Sequence, residues 1–573
     1  MTAGVRQETH DARGGRPAAG RVRLPVLLAV VALLAGVGYR LALLTFDAPA
    51  TNSDEATMGL AALHIARGQD FPVWFYGQSY MGTLEAYLAA PVLALTGPSL
   101  FGLRLVTVAL YAAFALLAWR LTLRLTGDRW FALLVVALLA LGSDRIVKNQ
   151  LIAGGGYPEM SPAAAALALL AYDLCAGRPG RRLPRWTAWG LLAGLMLWVD
   201  PLVLPYVLGV GAVLVAFRWR ELRGRAGAVL GIAVLVGAAP LLGHSLATGR
   251  NPLAAVLAAA GGGADAPAGW ADRLHGGLLL GPSLGMGFCS PGNCATWQLW
   301  WALALPVLLV VGAVSAGRAL RTGRADHVGA VSAGRALRTG RADHVGGGGA
   351  ARPGSAGDAV ANSRVGAALR LALVAAGTAT LVAYTLSGSA GRTPVESSRY
   401  LSCLLVSLPA LLWPLWRAAR RLAENRSRGP GRRVVGILAA AVLVATVAGT
   451  GYATYRAAGT ASAARAAEAR HTELVGTLRE LGVRHVYGGY WTCNRLTFAS
   501  GEEVVCAVID DELRPGHDRY APYRRAVAAS AAPAWIAPTG SPLAARLDER
   551  LRAAPGSLDL ITIDGYRIYL ARS

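Results

Sequence analysis

Long apolar runs alternate with arginine-rich or polar segments from residue 24 to about residue 455. The first run, Leu24–Leu44, has the ~20 residues that a helix needs to cross a hydrocarbon core about 30 Å thick. Ten further runs, several of them short, bring the predicted spans to about eleven. They are Val106–Leu123, Trp130–Gly142, Met160–Leu174, Trp186–Val199, Leu202–Phe217, Ala226–Leu246, Trp297–Val314, Leu371–Leu386, Tyr400–Trp416 and Val434–Tyr452. The pattern predicts an α-helical polytopic membrane protein with its transmembrane domain at residues 24–455.

One apolar run, Met81–Leu95, predicts a different element. Its apolar part after Glu85 has only about a dozen residues, which is typical of an interfacial or half-buried helix and short for a span. Counting it as a span would also invert every later loop and place the arginine clusters outside. We therefore predict that this run lies on the outer surface of the membrane.

The arginines predict the orientation of the chain. Residues 1–23 have no apolar surface to pack and are predicted to form a disordered cytoplasmic leader. Because arginines favour the cytoplasmic side, the clusters at 178–185, 218–225 and 417–433 are expected inside and the loop after Leu44 outside. The leader arginines that set this orientation are Arg6, Arg13, Arg16, Arg21 and Arg23.

Composition agrees with a membrane protein and argues against a nucleic-acid partner. The 573 residues are 54% hydrophobic, and their mean hydropathy is +0.42. A net charge of +23 would point to nucleic acid in a soluble chain, but these arginines lie between apolar runs, as membrane topology requires. The bias towards Ala, Gly and Arg is typical of a high-GC bacterium. We predict a multi-pass protein of a bacterial plasma membrane.

After Tyr452 the chain has the length and composition of a small soluble domain, predicted at residues 456–573. Helices are expected at Ala461–Leu481, Tyr523–Ala529 and Pro542–Ala553, strand-like runs at 484–487 and 503–508, and an apolar run at 534–537. Asp564-Gly565 predicts the two-residue turn of a closing hairpin. The prediction is a compact α/β domain on the outer face.

A 17-residue segment occurs twice without change, at Gly312–Val328 and Gly329–Val345, followed by GGGGAARPGSAG. A perfect short duplication without the spacing of a solenoid unit is typical of a recent expansion. We predict a flexible cytoplasmic linker at residues 315–364, with a docking element as the alternative.

Four of the six cysteines are predicted to lie on the outer side, where disulfides persist. The simplest pairing joins Cys289 to Cys294 and Cys493 to Cys506, although four cysteines allow three pairings. A zinc site is the alternative, but no histidine lies at ligand spacing near either pair. No metal site is assigned, no cofactor is certain, and the participation of a divalent metal stays open.

The outer loop at residues 46–98 contains more charged and aromatic residues than a simple connection between two helices needs. Its segment Thr51–Tyr87 carries acidic residues, a histidine and an arginine among aromatic residues and glycines. A plain connection would be shorter and less polar. We predict that this is the catalytic loop of a membrane-embedded transferase.

The order of these features resembles the C-type (GT-C fold) glycosyltransferases that use polyprenyl-phosphate sugars, the superfamily of protein O-mannosyltransferases and lipid A aminoarabinose transferases. The resemblance covers roughly Leu24 to Trp416. It rests on SDEA at Ser53–Ala56, GQSYMGTLEAYLAAP at Gly77–Pro91 and SSRYLSCLLVSLP at Ser397–Pro409. Many relatives have a His or Lys with paired prolines where this chain has GQSYMGTLEAY, and the C-terminal domain matches nothing with an assigned chemistry.

The resemblance implies a GT-C-like membrane glycosyltransferase. Such an enzyme moves a hexosyl or pentosyl group from a polyprenyl-phosphate donor to an envelope acceptor, a lipid, glycan or protein, on the outer face. Two other classes stay open. A transporter or flippase predicts paired half-sequences with broken helices, and a non-catalytic envelope scaffold predicts that alanine is tolerated at the acidic and basic positions of the motifs.

The acceptor hydroxyl needs a base, and Asp54 matches the acidic position of the family's first loop. The alternative is that Asp54 only caps the helix that follows. Glu55 is expected to position the acceptor or share the base role, or else to favour the positive end of that helix. Residues expected to contact the sugar or acceptor are Tyr76, Gln78, Tyr80, Glu85 and Glu159, with membrane anchoring, an ion pair or a plain loop as their alternatives.

The donor phosphate needs cations at the outer surface. Arg399 matches the Arg-Tyr of the family, Arg392 lies nearby, and Lys148 is the only lysine in the chain. The alternative for Lys148 is a snorkelling charge at a helix end. The expected reaction is an inverting displacement, with Asp54 as base and Arg399 stabilising the departing polyprenyl phosphate.

Overall fold

The computed structural model describes residues 24–251, 254, 268–292, 294–339, 354–426 and 429–572. The predicted leader at residues 1–23 lies outside them. The first helices are α1 (Leu24–Leu44), α2 (Ser53–Ala66), α3 (Leu84–Thr96), α4 (Leu100–Thr126), α5 (Arg129–Ala140), α6 (Asp144–Leu151), α7 (Tyr157–Cys175), α8 (Arg182–Val199), α9 (Leu204–Leu222), α10 (Arg225–Gly237) and α11 (Ala239–Thr248). They are followed by α12 (Trp270–Leu274), α13 (Gly281–Gly285), α14 (Trp300–Thr339), α15 (Gly354–Leu386), α16 (Gly388–Arg392), α17 (Pro394–Ser397), α18 (Leu404–Ala423) and α19 (Pro430–Ala458).

Each of the eleven predicted spans lies largely on a helix of the structure. Within the described residues, six helical segments are long and apolar enough to cross a membrane, and three bent pairs raise the number to nine. The bent pairs are α5 with α6 at 86°, α10 with α11 at 60°, and the Pro394–Leu401 segment with α18 at 68°. The other two predicted spans, α7 and α8, have polar or charged residues in their first turns, which lower their mean hydropathy. The chain is a multi-pass membrane protein.

The predicted linker at 315–364 is corrected at both ends. Helix α14 runs to Thr339 through the first copy of the repeat and into the second, and α15 begins at Gly354. Alanine, leucine and arginine are good helix formers and fill much of the repeated segment, which explains the continuation. Residues 340–353 lie outside the described part of the chain.

Helix α3 corresponds to the predicted surface helix Met81–Leu95. It has 13 residues and packs against α2 and α4, which buries Glu85, Ala86, Ala89, Ala90 and Leu93. The largest apolar core lies between the longer helices and includes the fully buried rings of Trp186 and Trp301. The outer loop is therefore fixed to the bundle by its own helices.

The C-terminal domain is an α/β unit. Its elements are α20 (Ala461–Glu480), β1 (His485–Gly488), α21 (Tyr490–Ala499), β2 (Val505–Val508), α22 (Ala521–Ala528), β3 (Ala534–Pro538), α23 (Pro542–Ala553), β4 (Leu558–Ile563) and β5 (Tyr566–Ala571). The sheet order is β2-β1-β3-β5-β4, with β1 parallel to β2 and β3 and the other pairs antiparallel. The predicted elements are present within a few residues, and α21 was missed.

Two disulfides, Cys289–Cys294 and Cys493–Cys506, have the simplest pairing expected from the sequence. The second joins α21 to β2, an edge strand of the sheet, and both of its cysteines are buried. Cys175 and Cys403 are free and buried.

Helix α21 packs directly on α2, so that the C-terminal domain contacts the outer loop. Ser53 Oγ donates to the Tyr490 carbonyl at 2.6 Å, and Asn494 Nδ2 donates to Thr57 Oγ1 at 2.8 Å. A Cβ at Gly59 would lie 2.5 Å from the Phe498 ring, so the close contact of the two helices requires glycine there. This interface holds α2 against the C-terminal domain, and α3 and α4 hold it against the bundle.

Candidate active site

A cavity of about 280 Å³ lies where the outer loop, the bundle and the C-terminal domain meet. It contains both Asp54 and Arg399, which are far apart in the sequence. Its lining residues are Asp54, Gln78, Tyr80, Met81, Gly154, Tyr157, Asp200, Pro201, Leu202, Pro205, Thr380, Ala383, Tyr384, Ser387, Ser389, Arg399, Tyr400 and Arg519.

Asp54 lies in the first turn of α2 but does not cap it. The N-cap is Asn52, whose side chain accepts from the Glu55 N–H at 2.9 Å, so the capping alternative for Asp54 is wrong. Asp54 Oδ1 accepts from Tyr490 Oη at 2.5 Å and from Arg519 Nη2 at 2.9 Å. Within the described residues Oδ2 has no hydrogen-bond partner. One carboxylate oxygen is therefore anchored and the other is available to a ligand.

Arg519 belongs to the C-terminal domain and is not among the site residues predicted from the sequence. Its Nε donates to Tyr490 Oη at 2.8 Å, and its guanidinium carbon is 4.9 Å from the centre of the Phe75 ring. Its side chain is only 10% exposed. No local sequence pattern singles out Arg519, because its contact with Asp54 joins positions 465 residues apart.

Arg399 lies in the 3-10 turn Ser398–Leu401, which precedes α18. Its guanidinium carbon is 5.5 Å from the centre of the Tyr157 ring and 5.8 Å from that of Tyr400. Its Nε is buried without a hydrogen-bond partner among the described residues. The two aromatic rings contact the guanidinium by cation–π interactions, which use none of its N–H groups and leave them free to donate to an anion.

Tyr80 and Gln78 also line the cavity, as sugar contacts would. The Gln78 Oε1 atom is buried without a partner in the described part of the chain. Burial and the nearby Tyr400 raise the pKa of Tyr80, so its hydroxyl is neutral and able to donate.

Asp200 is a second cavity carboxylate, and sequence reasoning missed it. It follows α8, and its Oδ1 accepts from the Leu202 N–H at 2.8 Å. Burial raises the pKa of Asp200 to about 7, although Arg399 acts in the opposite direction. In the sequence Asp200 follows an apolar run directly and looks like an ordinary helix end.

Glu55 does not face the cavity, and its predicted catalytic role is corrected. It is fully buried and forms a bidentate ion pair with Arg104 of α4, with both N–O distances at 2.7 Å. Neighbouring residues of a helix point about 100° apart, so Asp54 and Glu55 face different surroundings. Glu55 fixes α2 to α4.

Glu85 and Glu159 do not line the cavity either, and their predicted sugar contacts are corrected. Glu85 accepts from the Gly155 and Gly156 N–H groups at 3.2 and 3.3 Å, and burial raises the pKa of its carboxyl. Glu159 is buried beside it, and its carboxyl oxygens have no hydrogen-bond partner within the described residues. Gly155 and Gly156 have φ of 113° and 87°, which favour glycine. The pair supports the loop that brings Gly154 to the cavity.

Tyr76 is likewise outside the cavity. Its hydroxyl bonds His64 Nδ1 at 2.8 Å and Asp70 Oδ2 at 2.9 Å, and its ring packs on Tyr520 of the C-terminal domain. His64 Nε2 in turn bonds Glu502 Oε1 at 2.9 Å. Tyr76 therefore belongs to the interface between the outer loop and the C-terminal domain, and not to a sugar subsite.

Two of the predicted phosphate ligands are also corrected. Lys148 lies in the last turn of α6 and forms an ion pair with Asp144 at 2.9 Å, one turn earlier. Arg392 ends the short helix α16, and its guanidinium folds back over Gly388. Neither lines the cavity, so Arg399 and Arg519 are the cations that the described chain places there.

The described residues contain no group of three or more His, Cys, Asp or Glu that could hold a metal ion. In the cavity itself the acidic residues are Asp54 and Asp200.

Comparison with known proteins gives a structural likeness. No family model and no curated protein matches the sequence. The crystal structure of ArnT from Cupriavidus metallidurans, bound to undecaprenyl phosphate, is similar with a TM-score of 0.54 and 14% identity, covering 97% of this chain and 98% of that one. The Archaeoglobus fulgidus oligosaccharyltransferase AglB, in complex with an inhibitory peptide and a dolichol-phosphate, matches with a TM-score of 0.44 and 12% identity, covering 97% and 75%. The chain thus has the fold of ArnT, the GT-C fold that its motifs predicted.

Proposed function

We propose that this protein is a membrane glycosyltransferase that moves a sugar from a polyprenyl-phosphate donor to an envelope acceptor. The observation that carries the proposal is the presence of Asp54 and Arg399 in one cavity at the outer loop. ArnT, whose fold the chain shares, has undecaprenyl phosphate bound, which supports a donor of that class. The positive-inside pattern of the arginines supports an outer location for the cavity.

In the proposed reaction the acceptor hydroxyl attacks the anomeric carbon of the donor. The new bond joins the acceptor oxygen to that carbon, and the bond from the carbon to the phosphate oxygen breaks. The acceptor proton moves to Asp54, and the leaving polyprenyl phosphate takes the bonding electrons. A single displacement of this kind inverts the anomeric configuration.

Asp54 suits the base role because only one of its oxygens is engaged. Tyr490 and Arg519 both donate to Oδ1, which fixes the orientation of the carboxylate and leaves Oδ2 for the acceptor proton. A positioned base of this kind typically contributes 10²–10⁴-fold to a rate.

Arg399 suits the leaving group. Negative charge accumulates on the phosphate as the glycosidic bond breaks, and a buried guanidinium with a free N–H stabilises that charge more than one in bulk water. Its attachment to two aromatic rings orients it without neutralising it. Gln78 and Tyr80 are then placed to bind the sugar hydroxyls.

The test measures sugar transfer from labelled polyprenyl-phosphate hexoses and pentoses by the full chain in nanodiscs, with a cell-envelope extract supplying the acceptor. Asp54→Asn keeps the shape of the side chain and removes the base, so turnover should fall by about 10²–10⁴-fold. Asp144→Asn is the matched control, because Asp144 pairs with Lys148 outside the cavity. Near wild-type turnover of Asp54→Asn would exclude this role and favour a scaffold.

A further inference from the structure

A second, larger cavity lies at the opposite end of the bundle. Its volume is about 1190 Å³, and helices α4, α7, α14, α15 and α18 contribute to its wall. Along α4, Arg104 contacts Glu55 near the outer cavity, whereas Arg120 lies at the second cavity. The rise of 1.5 Å per residue places these two positions about 24 Å apart along the helix axis.

The wall of this cavity is strongly basic. Five arginines, Arg120, Arg124, Arg178, Arg370 and Arg417, line it together with one acid, Asp173. Asp173 pairs with Arg124 at 3.5 Å and with Arg178 at 3.3 Å. Within the described residues Arg120, Arg370 and Arg417 have no ion-pair partner. The cavity therefore has an excess of positive charge that an anion would balance.

Much of the remaining wall is apolar. Leu117, Leu169, Leu170 and Trp413 line the same cavity. On α4 the lining residues Arg120 and Arg124 follow Leu117 towards the end of the helix, where Leu123, Leu125 and Thr126 also line the cavity. A cavity in which apolar and cationic side chains lie side by side matches an amphiphile with an anionic headgroup.

Membrane topology alone explains why arginines lie at cytoplasmic helix ends. It does not explain why five of them line one cavity between the helices. Arg220 and Arg223, at the end of α9, have the ordinary position, because they are exposed and line no such cavity. Arg370, in contrast, is half-buried and donates to the Leu125 carbonyl, which directs its guanidinium into the helix packing.

We propose that this cavity binds the phosphate headgroup of an anionic phospholipid of the cytoplasmic leaflet. Phosphate diesters accept from several guanidinium groups at once, and basic pockets between membrane helices bind such headgroups. The apolar wall then contacts the first part of the acyl chains. This site goes beyond the proposed transfer reaction and does not depend on it.

The experiment measures lipid retention by native mass spectrometry of the full chain, released from nanodiscs that contain cardiolipin, phosphatidylglycerol and phosphatidylcholine. Wild type and Arg220→Gln/Arg223→Gln should retain the two anionic lipids, and Arg120→Gln/Arg417→Gln should retain at least ten-fold less. The two variants lose the same charge, so a general electrostatic effect cancels. Thermal unfolding in lipid-free detergent must be equal for both, which separates lost binding from lost folding.

Equal retention by the two double variants would overturn the proposal. Displacement of the lipid by 10 mM inorganic phosphate would also overturn it, because the ligand would then be the free anion and not a lipid. Asp54→Asn, which tests the transfer reaction, should retain the lipid as wild type does. Failure of this site and failure of the proposed function are therefore distinguishable.

Discussion

The two cavities of this protein differ in the signs of the charges that line them. The active-site cavity contains Asp54 and Asp200 together with Arg399 and Arg519, with contributions from the first loop, the bundle and the C-terminal domain. The basic cavity at the other end of the bundle has five arginines and a single acid, and all of them except Arg178, which follows α7, lie on helices of the bundle. Charges of both signs in one cavity suit proton removal combined with leaving-group stabilisation. A large excess of positive charge, as in the basic cavity, suits the binding of an anion without a reaction.

The largest expected effect comes from Glu55, which follows Asp54 in the sequence but supports the active-site cavity from outside it by fixing α2 to α4. Glu55→Gln should lower the free energy of unfolding by about 3–5 kcal/mol, because it leaves Arg104 buried without its counterion. The measurement is thermal unfolding of the full chain in detergent. Asp144→Asn breaks the more exposed pair with Lys148 and should cost under about 1 kcal/mol. Equal losses would mean that Glu55 is not the fixed support described here.

Arg399→Gln should reduce turnover of the lipid-linked donor by about 100-fold, because the leaving phosphate loses its cation. Arg399→Lys should recover part of this rate, since an ammonium keeps the charge but loses the planar donor geometry. The basic-cavity variant Arg120→Gln/Arg417→Gln is the control and should retain near wild-type kcat. A comparable loss in both would remove the functional distinction between the cavities.

Arg519→Gln tests the contribution of the C-terminal domain. We expect about a ten-fold lower kcat, because Asp54 loses one of two donors that orient it while Tyr490 remains. Arg525→Gln, on the exposed side of α22, is the matched control and should leave kcat unchanged. An unaltered rate for Arg519→Gln would confine the active site to the membrane domain.

The smallest expected effect concerns Asp200, whose ionisation should make the donor KM depend on pH. Its pKa is raised to about 7, so the carboxyl is largely neutral at pH 6 and largely ionised at pH 8. Ionisation places a negative charge in the cavity that binds the donor phosphate, so the donor KM should rise a few-fold across this range. In Asp200→Asn the KM should not change with pH. A wild-type KM that falls with rising pH would contradict this assignment.

The sequence predicted the fold well because its signals are local. Run length and composition are enough to find a helix such as α1, and Asp564-Gly565 is enough to find the hairpin of β4 and β5. Where the linker was expected, the helix-forming residues of the repeat outweighed its glycines, and α14 continues to Thr339.

The site was harder to predict because it depends on direction and on long-range contact. Motif order identified Asp54 and Arg399 as neighbours, but no pattern shows that Glu55, one residue later, faces Arg104. Arg519 could not be found, because its role exists only when the C-terminal domain packs on α2. Lys148 stood out by its rarity, which says nothing about the direction of its side chain.

The contact between Arg519 and Asp54 has a consequence for biosynthesis. A ribosome makes Arg519 465 residues after Asp54, so the pocket is unfinished in a chain that does not yet include Arg519. Before the C-terminal domain is made, the Asp54 carboxylate lacks both of its orienting donors, Tyr490 and Arg519. Under the proposed function, the base is therefore oriented only after this domain has packed on α2.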